Sequence, residues 1–482
     1  LGVSLTEIGW VITPYDIGNV IIVHMTSWLS QQFGRRNYFA ISIIIFTVFS
    51  FLCGNATSIW ELVFFRFLQG VGGGALLVTS QTIITEAYPR EKIGMAQAIY
   101  GLGVIIGPTL GPPLGGYIVD NFSWPHIFYI NIPIGIIATI LTLQFIRSPK
   151  FEEKKSTKEV DWLGIILLAI FVGSLQFVLE RGNEDDWFDS NTIIFFTSTA
   201  VFGLILFLWR ELTFEHPIVE LRVLKNSNLR IGTILSFILG FGLYGSTFII
   251  PIYTQSILGW TALQAGALMI PSAVATAVMM PFIGKLIAKG VKQQYLVSLG
   301  FFIFFIYSFW GYKLLTPDTG EANFFWMLIV RGLGLSLLFI PITTLSLSTL
   351  KGKEIGQGAS FTGMMRQLGG SFGIALITTF ITNSSAKYVA NLANHLDAND
   401  WEVQQRITQL KTGFMIKGMT PDVALQSAYK SLQYSIQKQA AVLSYMDVFL
   451  YLGILFLICI PIMLFTKQRK SKEKIDISSA MH

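Results

Sequence analysis

Charge is what this sequence has least of. Lys, Arg, Asp and Glu make up 13% of its 482 residues, against roughly 25% in an ordinary soluble domain. That excludes a soluble multi-domain enzyme and a disordered chain. Cysteine is nearly absent: Cys53 and Cys459 each sit in an apolar stretch, which reads as two buried thiols and excludes a disulfide scaffold. No Gly-x-x-x-x-Gly-Lys-Ser/Thr loop occurs, so nothing points to a nucleotide-driven pump. A membrane-embedded lipid-modifying transferase would want a His/Asp or carboxylate cluster at a membrane face. The nearest run, Glu184-Asp185-Asp186, reads as a solvated loop. No cofactor motif, metal-ligand spacing or cleavable leader is present.

What is present is apolar. The hydrophobic share is 52%, with 39 Phe and 44 Gly, and the mean hydropathy is +0.59. Such a chain reads as a polytopic helical membrane protein. A span needs about 20 mostly apolar residues, and thirteen stretches qualify: 8–28, 38–55, 60–84, 93–118, 127–146, 162–180, 191–209, 231–253, 263–287, 294–315, 323–349, 358–382 and 446–466. Each must satisfy its own backbone hydrogen bonds in hydrocarbon, so each is expected to be helical.

The net charge of +6 calls for no nucleic acid, because the placement of the basic residues explains it. Alternate loops and the C-terminal tail hold 23 of them, including Arg35, Arg36, Lys92, Arg147, Lys154, Arg222, Lys289 and Lys351. The short loops between them hold only Arg181, and the long 383–445 segment holds six. Basic short loops stay cytoplasmic, which places the C-terminus inside. Thirteen spans then put Leu1 outside, and the expectation is that one preceding span is missing from the sequence.

An internal repeat organises the chain. Gly9, Pro14 and Tyr38 recur 257 residues later as Gly266, Pro271 and Tyr295. Phe65-Arg66 has a counterpart in Val330-Arg331, and Ile93-Gly94 in Ile355-Gly356. Two similar six-helix bundles are implied, with the spans near 162–180 and 191–209 inserted between them. The domain reading is 1–150 for a first bundle lacking its first helix, 151–225 for two linker spans, 226–466 for a second bundle, and 467–482 for a basic cytoplasmic tail. Paired bundles of this kind hold a substrate site at mid-membrane between them.

Three motifs carry physical content. In Ser27-Trp-Leu-Ser-Gln-Gln-Phe-Gly34-Arg35-Arg36, Gly34 permits a tight turn between helices. The arginines can meet a helix C-terminus or Glu86, or merely obey the topology rule. Arg66 lies inside a span, where a guanidinium needs a bundle interior or water and a partner. It can tune a nearby carboxylate, touch substrate or serve a structural pairing, and Gln69, Gly70, Gly72, Gly73 and Gly74 beside it allow close helix approach. The run Gly103-x-x-x-Gly107-Pro108-x-x-Gly111-Pro112-Pro113-x-Gly115-Gly116 combines proline kinking with a smooth glycine face. Such a helix suits a tight seal between two bundles.

These residues resemble the major facilitator superfamily, in particular its fourteen-helix drug:proton antiporters, the EmrB-like multidrug exporters. The turn ending in Gly34-Arg35-Arg36 is similar to the superfamily's cytoplasmic signature. Arg66 with Gln69-Gly70 is similar to the fourth-helix signature, and Gly103 to Gly116 resembles the fifth-helix antiporter signature. Trp10-Val-Ile-Thr13, Phe128-Tyr-Ile-Asn131-Ile-Pro133-Ile-Gly135, Asp161-Trp-Leu-Gly164, Ser174-Leu-Gln176, Glu180-Arg181-Gly182, Trp187 and Pro341-Ile-Thr-Thr-Leu extend the likeness over nearly the whole chain. In the cytoplasmic turn, Gln31 stands in place of the usual acid and Ser27 in place of the usual first glycine. The resemblance implies export by alternating access across the inner membrane, coupled to protons. It also implies a periplasmic adaptor of the EmrA kind and an outer-membrane duct as partners.

Antiport needs a group that binds a proton on one side and releases it on the other. Embedded candidates are Asp16, His24 and Arg66 as a tuning neighbour, with the acid of the missing first helix as a further one. His24 is equally read as a hydrogen-bonded packing residue. Glu180 is expected to pair locally with Arg181. Tyr15, Asn19, Gln69, Gln81, Tyr244, Tyr253, Gln255 and Arg366 are expected to line a cavity for amphipathic, often cationic, drugs or toxic compounds. Export of one metabolite or siderophore is the alternative. The 383–445 segment reads as an outer loop with short helices near 391–396 and at Pro421-Asp-Val-Ala-Leu-Gln-Ser-Ala-Tyr-Lys, with Thr420 as N-cap. It either docks the adaptor or caps the vestibule.

Overall fold

The computed structural model describes residues 5–89, 92–147, 161–214, 217, 219–351, 353–394, 396 and 400–465. The expected basic tail, most of the basic loop 147–158 and the prolines' side chains at 108 and 112 lie outside the described residues. Among the described residues the chain is all-helical. A first group holds α1 (Leu5–Phe33), α2 (Arg35–Gly54), α3 (Ile59–Ala87), α4 (Ile93–Asn121), α5 (His126–Tyr129) and α6 (Asn131–Phe145). Next come α7 (Trp162–Arg181) and α8 (Asn191–Thr213). A second group holds α9 (Ser227–Ser256), α10 (Ala262–Ala267), α11 (Ile270–Ala288), α12 (Gln293–Leu314), α13 (Glu321–Leu347), α14 (Lys353–Asn394), α15 (Trp401–Ile416) and α16 (Pro421–Phe465).

Every expected span is helical, but two are broken. The 127–146 stretch divides into α5 and α6 at Ile130, just ahead of Pro133. The 263–287 stretch divides into α10 and α11, the first opened by a capping box in which Thr261 and Gln264 bond each other's backbone N–H. Ten helices are long and apolar enough to cross a membrane, among the described residues. The three expected spans 8–28, 93–118 and 358–382 fall outside that set, although α1, α4 and α14 cover them. They are the helices through which the two groups meet. A helix facing its fellows across a polar seam does not need the apolar periphery that lipid demands.

The groups pack alike. In the first, α1 lies along α3 and α2 along α6; in the second, α11 lies along α13 and α12 along α16. Buried hydroxyls are largely satisfied within their own helices, as hydrocarbon requires. Thr26, Ser42, Thr82, Thr343 and Ser346 each donate to the carbonyl four residues back, at 2.7–2.9 Å.

The outer segment differs from expectation. It is no loop with two short helices: α14 continues through Asn394, and α16 starts at Pro421 and runs unbroken to Phe465. At a rise of 1.5 Å per residue, helices of 42 and 45 residues are roughly twice the length a bilayer needs. No glycine or proline interrupts 383–394 or 422–452, so nothing stops either helix at the interface. Tyr388 on α14 donates to the Asp447 carboxylate on α16 at 2.6 Å, and α15 packs back along α16.

Candidate functional site

Gly34 takes φ +78°, the left-handed conformation that lets α1 turn at once into α2. The turn delivers Arg35, 5% exposed, to an ion pair with Glu86 at the end of α3. Arg36 points the other way and donates to the Leu143 carbonyl at 2.5 Å. Removing one partner of a buried pair strands the other charge, which costs about 3–5 kcal/mol. Glu86→Ala is therefore expected to lower thermal stability far more than the paired change Arg35→Gln with Glu86→Gln. Melting curves of the three proteins in detergent check this, and a single variant as stable as the double ends the idea.

Arg66 is held inside the first group. Its Nε donates to the Val11 carbonyl at 3.1 Å, its Nη1 to Gln69 at 2.7 Å, and its guanidinium lies 4.2 Å from the Tyr15 ring centroid. Gln69 in turn donates to Ser50 at 2.5 Å. Its repeat counterpart Arg331 is likewise enclosed, donating to Ser246 and Ser272 at 2.9 Å and to Thr247. Gln81 belongs to a buried ladder with Gln97 and Thr85 that ties α3 to α4. His24 is buried, and its Nδ1 is bonded at 2.6 Å to the Val20 carbonyl of its own helix.

Two cavity expectations fail. Tyr253 is 1% exposed and donates to the Thr316 carbonyl at 2.6 Å, inside the core of the second group. Gln255 is turned outward and bonds only its own helix, at the Pro251 carbonyl. Both sit near the α15 end of α9, past the part of that helix that approaches the seam.

The seam brings together Asp16, Tyr15 and Asn19 from α1, Tyr100 from α4, Tyr244 from α9 and Arg366 from α14. Gln367 donates to Asn19 at 2.9 Å and Arg366 to the Tyr100 hydroxyl at 3.1 Å, so both bonds cross between the groups. Toward the α15 end lies a cavity of about 410 Å³ lined by Thr13, Asp16, Gln176, Glu180, Phe248 and Ser371. At the opposite end, around the Arg35–Glu86 pair, a second hollow of about 530 Å³ is bounded by Tyr88, Phe145, Leu347 and Ile355.

Glu180 is the residue that sequence reasoning misplaced. Arg181 pairs with Glu184 at 2.7 Å and Asp185 at 3.3 Å and lies over Trp10. Glu180 turns away from it, accepts from Gln176 at 2.6 Å and from Thr13, and is hydrogen-bonded to the Asp16 carboxyl. Neighbours in sequence on a helix do not share a face, whereas residues three and four apart do. That rule alone assigns Arg181 to Glu184 and Asp185 and leaves Glu180 free to point inward. Two carboxyl groups can hydrogen-bond only when one carries a proton. Gln176 also donates to Ser371 at 3.0 Å. The linker helix α7 thus joins the acid pair to the second group.

The glycine run of α4 behaves differently from a flat sealing face. No atom lies within 4 Å of where a Cβ would stand on Gly103, Gly107, Gly111 or Gly115. The close contacts across the seam come instead from Gly94 against Gly284, Gly101 against Phe339 and Met280, and Gly116 against Leu263. Carrying the Ile93/Ile355 register forward sets Gly107 and Gly111 opposite Gly369 and Gly373. In the second group those two glycines seat the backbone of α9 at Phe237 and Phe241. Among the described residues, nothing occupies the equivalent position beside α4.

Comparison with known proteins follows the same lines. The sequence profile of the Major Facilitator Superfamily matches residues 1–374. The multidrug export protein EmrB of Escherichia coli K12 is 33% identical over 468 residues, covering 97% of this chain and 89% of that one. The fatty acid resistance protein FarB of Neisseria gonorrhoeae is 31% identical, covering 97% and 90%. Among solved structures, the proton:xylose symporter XylE superposes with a TM-score of 0.59 at 14% identity, covering 98% of this chain and 89% of that one. The human organic anion transporter MFSD10 gives 0.54 at 12%, covering 93% and 83%; at these identities the structures speak for the fold alone. The chain is a multi-pass membrane transporter that belongs to the Major Facilitator Superfamily.

Proposed function

We propose that the chain is a proton-coupled antiporter that exports amphipathic drugs or toxic compounds across the inner membrane by alternating access. The observation that carries this is the Asp16–Glu180 pair, set in a cavity between the groups and hydrogen-bonded through Gln176 to α14. The α15 face is then periplasmic and the Arg35 face cytoplasmic, in keeping with the basic loops. The periplasmic length of α14, α15 and α16 is the surface on which an adaptor protein would sit.

The chemistry is that of a shared proton. With one proton between them, Asp16 and Glu180 form a bond that holds α1 to α7. Loss of that proton leaves two carboxylates at close range, which repel in a weakly screened interior. Arg66, beside Tyr15, is the cation that faces Asp16. Proton exchange at the pair therefore favours one packing of α1 against α7 over another, and a substrate that binds the two packings unequally is coupled to it. Asp16→Asn protein in proteoliposomes, with a fluorescent amphipathic dye and an imposed acid gradient, tests the reading. The expected outcome is at least an about tenfold loss of gradient-driven dye movement with dye binding retained. Dye export by the wild type that survives collapse of the gradient rules the proposal out.

A further inference from the structure

Arg366 is the buried cation that the protein leaves incompletely satisfied. It is 3% exposed and sits about 13 residues into α14, which puts it near mid-membrane. Its Nη2 donates to the Tyr100 hydroxyl at 3.1 Å, and its Nη1 has no partner. Other arginines at the ends of the spans have carboxylates: Arg35 has Glu86, Arg181 has Glu184 and Asp185, and Arg210 has Asp161 at 3.0 Å. Arg331, equally deep, is ringed by hydroxyls. Among the described residues no Asp or Glu forms an ion pair with Arg366. A guanidinium in this position is costly, and an anion set against it would remove much of that cost.

The walls around it say what kind of anion. The guanidinium carbon lies 5.2 Å from the Phe339 ring centroid and 6.0 Å from that of Tyr100. Gly101 and Gly370, by lacking side chains, admit Phe339 and Tyr244 against the two helices. Four elements from both groups therefore present aromatic surface and a single positive charge. We infer that Arg366, with Tyr100, is the head-group subsite for an amphipathic monoanion, a carboxylate on an apolar body, recognised in the seam. The subsite joins Tyr100 of one group to Arg366 of the other, so its occupancy differs between packings that close and open the seam. That marks a transported ligand in preference to a structural ion. This inference rests on the exporter reading for its biological sense but not for its binding test.

The probes are dodecanoate and dodecyltrimethylammonium, which share a tail and differ in head-group charge. Binding is measured to wild-type protein in phosphatidylcholine nanodiscs, with empty nanodiscs subtracted. Dodecanoate is expected to bind the wild type. Arg366→Gln is expected to weaken dodecanoate at least about tenfold, the loss typical of a charge-assisted hydrogen bond, and to leave the ammonium probe within about twofold. Arg366→Lys should retain part of the dodecanoate binding. Size-exclusion profiles show that each variant is folded, and Arg366→Gln should melt no lower than wild type because it removes a poorly compensated buried charge. Dodecanoate binding that is absent in the wild type, unchanged in folded Arg366→Gln, or lost in parallel with the ammonium probe overturns the inference. Normal dodecanoate binding without gradient-driven export defeats the exporter reading and leaves the subsite standing.

Discussion

Glu180→Gln protein should fold, bind dye and yet fail to export against a gradient, with rates down by about a hundredfold or more, the scale on which loss of a proton-transferring group acts. Glutamine is isosteric and can still bond Gln176, Thr13 and Asp16, so the contacts that place α7 survive. What it cannot do is give up the proton. The pair would be held in the bonded state, and α1 and α7 would lose the repulsion that separates them. The decisive comparison is between gradient-driven export and energy-independent dye exchange in the same vesicles. Loss of both together would mean a damaged fold. Retention of both would show that Glu180 holds no transported proton. Glu180→Asp, which keeps the acid on a shorter stem, should fall between wild type and Gln.

The place of Glu180 in the linker helix bears on what the inserted pair α7–α8 is for. The helix contacts α1 on one side and α14 on the other. Beyond Glu180, Trp187 donates to Thr379 at 3.0 Å and Asn183 to Thr382 at 3.4 Å. With Gln176 on Ser371, these bonds fall along one side of α14. An inserted helix that only filled space against lipid would have no reason to carry three polar contacts to the moving partner.

The lipid-facing helices were legible in the sequence because lipid imposes one demand, an apolar periphery, and hydropathy measures it. The helices at the seam answer to each other, and their polar residues dilute the same signal. Helix ends were harder still. Hydropathy reports where the bilayer stops, whereas the backbone stops only at Gly, Pro or a cap. The unbroken run from Asp422 to Leu452 said so, but was masked by its polarity. The site was half legible. Asp16, Asn19, Tyr244 and Arg366 stand at the seam because embedded polar residues need one another. Tyr253 and Gln255 satisfied themselves locally, and no composition rule separates the two outcomes. Glu180 was hidden by Arg181, its neighbour in sequence and a stranger in space.

Gly369→Val should be among the most damaging single changes in the chain, with a loss of about 3 kcal/mol or more, seen as disappearance of the monodisperse peak on extraction. A Cβ at Gly369 runs into the Phe237 carbonyl, and one at Gly240 runs into the Arg366 carbonyl. Both obstacles are backbone, so no rotamer change relieves them. In a membrane, helix association depends on close van der Waals fit instead of on release of water, which leaves little to offset a forced separation of α9 and α14. The same displacement would carry Arg366 away from Tyr100 and Gln367 away from Asn19, so any protein that survives should also lose dodecanoate binding. Gly413 on α15, with nothing within 4 Å of its Cβ position, supplies the control. Gly413→Ala should be neutral or slightly stabilising, by up to about 1 kcal/mol from helix propensity. Equal tolerance at both positions would mean that α9 and α14 are not in backbone contact, and the geometry that places Arg366 at the seam would fail with it.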